Sequence, residues 1–324
     1  MYNKNMPGSE ISPVRGREGS ERASTSNEIK TLLKDYLDYL SIEKNRSNLT
    51  RRSYEHCLIR FIESSNIEKP SDITDQAIRD FRLTLANQKE DIKKGTQAYY
   101  VIVIRNFLKY LVKRGIEVVP PTTIELPKVP TRQIQIIDYA DLERLLLAPK
   151  GDGLRASRDR AILEILFSTG LRISELCALD RTIPIDRGEF TVRGKGEKLR
   201  VVFISDRAKK SLKEYLSKRV DMENALFPSL SKGENPKASG RVIPRSVQRL
   251  VSFYARAAGI PKHITPHQLR HQFATDLLMN GADLRSVQEL LGHSNISTTQ
   301  VYTHVTNKEL REIHHAFHAR RRKD

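Results

Sequence analysis

Apolar positions recur every three to four residues over most of this chain, the periodicity of helices that bury one face. Ile29, Leu32, Leu33, Tyr36, Leu37 and Leu40 form one such stripe, and Tyr54, Leu58, Phe61 and Ile62 form a second. Ala77, Ile78, Phe81 and Leu85 make a third, with Thr74 placed to cap its N-terminus. A fourth pattern runs over 96–114 and stops at Gly115, a residue suited to the left-handed turn that closes a helix. Four helices with short connections predict a bundle. Pro120, Pro121, Pro127 and Pro130 then crowd into a short stretch. They forbid a continuing helix and predict an extended, semi-rigid linker of about 3.1 Å per residue, roughly 30 Å in all.

Beyond the linker, helical patterns cover 141–147, 157–168, 206–215, 247–258, 267–279, 284–291 and 308–319. The β signal is confined to 189–193 and 199–204, two runs rich in β-branched residues around the turn Gly194-Lys195-Gly196-Glu197-Lys198. This predicts a mainly α protein of two domains, the second α-rich and carrying one small antiparallel sheet. The division expected is a disordered tail over 1–27, a helical domain over 28–117, a linker over 118–135, a second domain over 136–319 and a basic tail over 320–324. Residues 1–28 hold four basic and four acidic side chains among many Ser, Gly and Pro, a composition that predicts disorder.

Charge narrows the partner. Lys and Arg total 56 against 39 for Asp and Glu in 324 residues, a formal net charge of +17. Residues 29–119 hold 17 basic against 12 acidic side chains and residues 120–324 hold 35 against 23, so both folded parts are basic. A polyanion held by both is the simplest partner, and a solvated basic surface is the bland alternative. No apolar run approaches the roughly 18–20 residues of a membrane span. The N-terminal stretch shows no apolar signal-peptide core, and a cytoplasmic location is expected. Two cysteines, Cys57 and Cys177, supply neither a disulfide framework nor a cysteine zinc site.

Ordinary nucleotide motifs fail. From Gly188 to Lys195 there is one residue too many between the glycines for a phosphate loop, and Gly196 stands where Ser or Thr must hold magnesium. Aspartate clusters suited to two magnesium ions are missing as well. In His267-Gln268-Leu269-Arg270-His271 the two histidines have the spacing of a zinc helix, but Gln268 replaces the glutamate base of a metalloprotease. His267 and Arg270 share a helical face behind Thr265 and Pro266, good opening residues, so the pair suits an anion at a helix N-terminus. A packed histidine with a surface arginine explains the same five residues. Arg172, just after Gly170 in a tight helix junction, is either a structural ion pair or a phosphate clamp. Tyr302, flanked by the polar Thr299, Gln300, Thr303 and His304, is either core or an exposed hydroxyl.

Taken together these residues change the picture. TGLRISEL around Arg172, GKGEK around Lys195, HQLRH around His267 and Arg270, LLGH ending at His293, and VYTH around Tyr302 stand in one order along the chain. In that order and those contexts, the chain resembles the tyrosine recombinase (phage integrase) family over about residues 28–310, and the cellular Xer recombinases within it. The resemblance implies a SAM-like, four-helix core-binding domain before a tyrosine recombinase catalytic fold, and site-specific recombination of duplex DNA. It also implies a covalent 3′-phosphotyrosyl intermediate, no cofactor, no metal, and four protomers on two DNA sites. Chromosome dimer resolution is the expected task. Integration or excision of a mobile element, a non-catalytic DNA-binding regulator of the same fold, and a monomeric relaxing enzyme are the alternatives.

The residue types suit that chemistry. Arg172 and Arg270 can grip the non-bridging oxygens of a phosphodiester and stabilise the charge that builds in the transition state, in place of a metal. The resemblance implies that Tyr302 is the nucleophile, and with a pKa near 10 only about one in a thousand is ionised at neutral pH. His267 is the better candidate to take its proton, with His293 donating to a phosphate oxygen, although the sequence does not divide these two roles. Lys195 matches the family's lysine and would protonate the leaving 5′ oxygen, with Lys198 as its rival. Glu175 either orients a basic residue or is an ordinary helical glutamate. Arg51, Arg52, Lys93, Lys94, Arg241, Arg245 and Arg249 are candidate DNA contacts. The segment 308–319 carries Leu310, Ile313 and Phe317 on one helical stripe, and is expected to dock on an adjacent protomer, joining dimers and tetramers on DNA.

Overall fold

A computed structural model describes residues 19–87, 92–127, 136–194, 199–233 and 235–292, with residues 19–27 by backbone alone. The chain divides into two units, Met1–Thr131 and Arg132–Asp324. The first contains helices α1 (Gly19–Ile42), α2 (Asn48–Ser64), α3 (Asp75–Ala86) and α4 (Lys94–Lys113). The expected stripes face inward: Tyr36, Leu58, Phe61, Leu85, Ile104 and Phe107 are all buried. The Tyr36 ring lies 5.2 Å from both Phe107 and Tyr110, joining α1 to α4. Side chains close the helix starts. Ser47 accepts from the Thr50 amide at 3.3 Å, and Thr74 accepts from the Ala77 amide at 3.1 Å as its sequence position predicts.

Two expectations change here. Helix α1 starts at Gly19, inside the segment 1–27 whose composition predicts disorder. No proline lies between Gly19 and the buried stripe, and Glu21, Arg22 and Ala23 are good helix formers, so the helix runs back beyond its packed face. The proline-rich stretch is not extended throughout either. The Thr123 amide donates to the Pro120 carbonyl at 3.1 Å, making a turn with Pro121 at the position whose φ proline presets. Ile124 is then buried in the core of the first unit, with Val118 and Val119 packed beside it. Burying that isoleucine repays bending the backbone.

The second unit is built on α6 (Leu154–Thr169), preceded by α5 (Tyr139–Leu146) and followed by the short α7 (Ile173–Ala178). Helix α6 packs against α8 (Asp206–Ser217) and α10 (Pro266–Met279) and is covered on most sides, so three of its charged residues, Arg158, Asp159 and Glu164, are buried. Each has a partner, as burial demands. Arg158 pairs with Asp159 at 2.7 Å, Tyr254 donates to Asp159 at 3.0 Å, and Arg207 Nε meets Glu164 at 2.7 Å. Burial pushes the Glu164 carboxyl up from its ordinary value, with Arg207 drawing it partly back.

The predicted hairpin forms from β1 (Glu189–Arg193) and β2 (Leu199–Phe203), antiparallel, with Arg193 opposite Leu199 next to the turn. A second two-stranded sheet, β3 (Pro228–Leu230) with β4 (Ala238–Arg241), departs from the single sheet expected. Its strands read Pro-Ser-Leu and Ala-Ser-Gly-Arg, with no β-branched residue to announce them. Helices α9 (Pro244–Ala257), α10 and α11 (Leu284–Leu291) complete the described unit. The basic tail and the apolar stripe of 308–319 lie outside the described residues.

Candidate active site

Three helix ends meet around two arginines. Helix α6 ends at Gly170 with φ of 58°, a left-handed turn that redirects the chain at once into Arg172, the residue capping α7. A Cβ on Gly170 would lie 2.4 Å from Cδ1 of Phe273, so the junction also needs the missing side chain. Helix α10 opens with Thr265, whose hydroxyl accepts from the Gln268 amide at 3.3 Å while the Gln268 side chain accepts from the Thr265 amide at 2.8 Å. Gln268, which the sequence sets against a metalloprotease base, is therefore half of a capping box. One turn of α10 past this cap, Arg270 is 3% exposed. Helix α11 ends at Gly292, again left-handed with φ of 62°.

The last turn of α11 has carbonyls that no helical amide can reach, at the negative end of the helix dipole. Three arginines from three elements take three successive ones. Arg200 Nε, on β2, donates to Leu290 O at 3.1 Å. Arg270, on α10, donates to Leu291 O at 2.5 Å and with its other terminal nitrogen to Gly170 O at 2.5 Å. Arg172 donates to Gly292 O at 3.0 Å. The structure thus gathers Arg172 and Arg270, about a hundred residues apart in sequence, onto adjacent peptide groups.

Glu175 lies under this cluster. Its carboxylate is 3% exposed and accepts from Arg172 at 2.9 Å through one oxygen and from the Arg172 amide at 2.8 Å through the other. Arg200 adds a bidentate pair, 2.7 Å to each oxygen. Burial by itself would push the Glu175 carboxyl up, but the hydrogen bonds from Arg200 and Arg172 outweigh it and hold the group below its ordinary value. Glu175 is an orienting residue, not an ordinary helical glutamate. Arg200 was missed in the sequence. Its signal is alternation along β2: Leu199, Val201 and Phe203 face out, which puts Arg200 on the inward side with the buried Val202. A charged residue at an inward strand position requires a buried partner.

His267 is exposed near the start of α10, its ring 4.2 Å from that of His271. Among the described residues no group of three or more His, Cys, Asp or Glu could hold a metal ion. Lys195, Lys198, His293 and Tyr302 lie outside the described residues. Gly194 and Leu199 flank the lysines, and Gly292 leads directly into His293.

The candidate DNA contacts separate by their surroundings. Arg241 donates to the carbonyls of Ala178 at 3.0 Å and Leu179 at 2.8 Å and pairs with Asp180, so it staples β4 to the end of α7. Arg51 is near Asp38 at 3.6 Å and Glu55 at 3.9 Å. Arg52, Lys93 and Lys94 are exposed on the first unit, and Arg245 and Arg249 are exposed one turn apart on α9. Among the described residues no helix is long and apolar enough to cross a membrane.

This chain matches the Phage integrase family over residues 135–309 and the Phage integrase, N-terminal SAM-like domain over residues 33–115. It belongs to the phage integrase family and is a tyrosine-type site-specific recombinase. Tyrosine recombinase XerC of Thermodesulfovibrio yellowstonii is 36% identical over 300 residues, spanning 90% of this chain and 97% of that relative. Tyrosine recombinase XerD of Staphylococcus haemolyticus is 34% identical over 304 residues, spanning 90% of this chain and 100% of that relative. A crystal structure of the XerH site-specific recombinase bound to palindromic difH substrate shares the fold, with a TM-score of 0.66 at 21% identity over 94% of this chain and 90% of that one.

Proposed function

We propose that this recombinase exchanges DNA strands by transesterification on Tyr302, with Arg172 and Arg270 as the phosphate clamp. The convergence of those two guanidiniums on adjacent carbonyls of α11 carries the reading. Basic side chains fixed at one spot stabilise the charge that gathers on a five-coordinate phosphorus without having to reorganise. Tyr302 Oη attacks the phosphorus and loses its proton to His267, while the bond to the 5′ oxygen breaks and Lys195 protonates that oxygen. His293 donates to a non-bridging oxygen. The products are a 3′-phosphotyrosyl linkage and a free 5′ hydroxyl. The 5′ hydroxyl of a second duplex then attacks the linkage, the proton transfers reverse, and Tyr302 is restored. One phosphoester replaces another at every stage, so no nucleotide or metal cofactor is required.

Duplex DNA is the partner, bound by basic surface on both units and, at lower specificity, by Arg51, Arg52, Lys93, Lys94, Arg245 and Arg249. Arg241 ranks below them because it staples β4 to the end of α7, away from the two clamp arginines in its contacts. The enzyme acts in the cytoplasm as dimers and tetramers assembled on DNA, and the Xer relatives favour chromosome dimer resolution over mobile-element integration.

The test uses a duplex recovered by binding selection with the wild-type chain and nicked beside the scissile phosphate, so that cleavage cannot reverse. Wild type is expected to become covalently attached, and Tyr302→Phe to bind within about twofold and form no adduct, since only the hydroxyl is lost. A phenylalanine variant that still attaches to the DNA removes Tyr302 from the mechanism. A wild-type chain that binds but never attaches makes the protein a regulator.

A further inference from the structure

Arg200 has no part in the proposed strand transfer, yet it makes three hydrogen bonds within the site, as many as Arg172. Its side chain is 9% exposed. One edge of the guanidinium pairs with both oxygens of Glu175, the carboxylate that also holds Arg172, and its Nε reaches Leu290 O. Its stem lies along the backbone at Gly292, where a Cβ would come within 2.9 Å of the Arg200 Cδ. Glycine at 292 therefore answers two demands, a positive φ and room for Arg200.

The location matters as much as the contacts. Arg200 is on the strand that leaves the turn carrying Lys195, two residues past the last residue of that turn. It grips the carbonyl one residue before the one Arg270 uses, at the helix end that leads into His293. Through Glu175 it fixes the carboxylate that orients Arg172. A rigid, planar, bidentate group holds such a geometry better than a flexible ammonium.

We infer that Arg200 is a positioning residue for strand cleavage: it locks Glu175, and through it Arg172, while tying the lysine-bearing hairpin to the last turn of α11. This rests on the proposed cleavage reaction, and it goes beyond it by assigning the alignment of three segments to one side chain that takes no proton and grips no phosphate in that reaction. Misplacing reacting groups by about an ångström is enough to slow an enzyme a hundredfold.

The test separates alignment from folding and from binding. Arg200→Met keeps the length and apolar stem and removes all three hydrogen bonds. Arg200→Lys keeps charge but not the fork. Glu175→Gln keeps the shape of the carboxylate and removes its charge. Each is compared with wild type on the same nicked duplex for affinity and for the cleavage rate at saturating protein, with circular dichroism to confirm folding. Arg200→Met is expected to bind within about threefold and to cleave at least about tenfold more slowly, with Arg200→Lys between it and wild type. If Arg200 acts through Glu175, adding Glu175→Gln to Arg200→Met slows cleavage by less than the product of the single effects. Folded Arg200→Met cleaving at the wild-type rate overturns the inference. Should Arg200→Met not fold, a folded Arg200→Lys that cleaves at the wild-type rate overturns it equally. An adduct formed by Tyr302→Phe would instead remove the nucleophile from the proposed reaction, and the Arg200 rates would still decide this inference.

Discussion

Glu175 faces two guanidiniums with its carboxylate 3% exposed, and its charge is what keeps both in place. The two hydrogen-bonding arginines overcome burial and hold its folded pKa below the unfolded value of about 4.3. The stabilisation is therefore fully present above about pH 4.3 and disappears as pH falls through the folded value. Glu175→Gln should cost about 2–4 kcal/mol at pH 7, because two buried or half-buried cations lose their counter-charge. Urea midpoints for the two proteins should converge as the pH is lowered below about 4; a gap that stays constant would show that the charge contributes nothing. At this scale the chain was partly legible. Arg172 and Arg270 stand in short, dense motifs, each of which has a bland reading by itself; their order along the chain and the family resemblance that order carries gave them their role. Arg200 is hidden because its partners, Glu175 and Leu290, are far from it in sequence, and only the strand alternation exposes the oddity.

Helix ends, more than helix faces, build the site. The carbonyl of Gly170 is held by Arg270, and its left-handed turn is pressed against the ring of Phe273. Gly170→Ala meets both a positive φ of 58° and a Cβ at 2.4 Å from that ring. It should destabilise the protein by about 2–3 kcal/mol, and Phe273→Leu in the same chain should recover part of the loss. Thermal unfolding of the four variants in this cycle measures the coupling, and strictly additive losses would mean the ring and the glycine do not interact. The amphipathic helices and the Gly-centred hairpin were legible because their periodicity is set by local burial. The β3–β4 sheet was not, since its strands are short, lack β-branched residues and are set by where the flanking helices place them. The turn at Pro120 was hidden for a related reason: prolines suggest extension, and the burial of Ile124 that bends the chain depends on a distant core.

At the scale of the molecule, basic residues outnumber acidic ones in both folded parts, and the sequence spaces Leu310, Ile313 and Phe317 three and four residues apart. Truncation after Asn307 is expected to leave a folded chain that binds a single site with near-normal affinity but forms dimers and tetramers on DNA at least about tenfold less readily. Native gels against protein concentration would read this directly, and full-length assembly by the truncated chain would remove the segment from the interface. The two-part organisation was legible from the prolines and the composition, whereas the start of α1 was not, because helix propensity without an apolar face leaves little trace in the sequence.

The arginine-capped end of α11 also bears on how the protein unfolds. Helix α7 spans six residues and α11 eight, each too short to persist alone in water. Arg172 sits at the head of one, Arg270 crosses from α10, and Arg200 crosses from the hairpin, all meeting the other at its final turn. Short segments joined in this way open together or not at all, as a single cooperative unit. Freeing the end of α11 therefore means breaking its ties to the hairpin, to α10 and to the head of α7 in the same event.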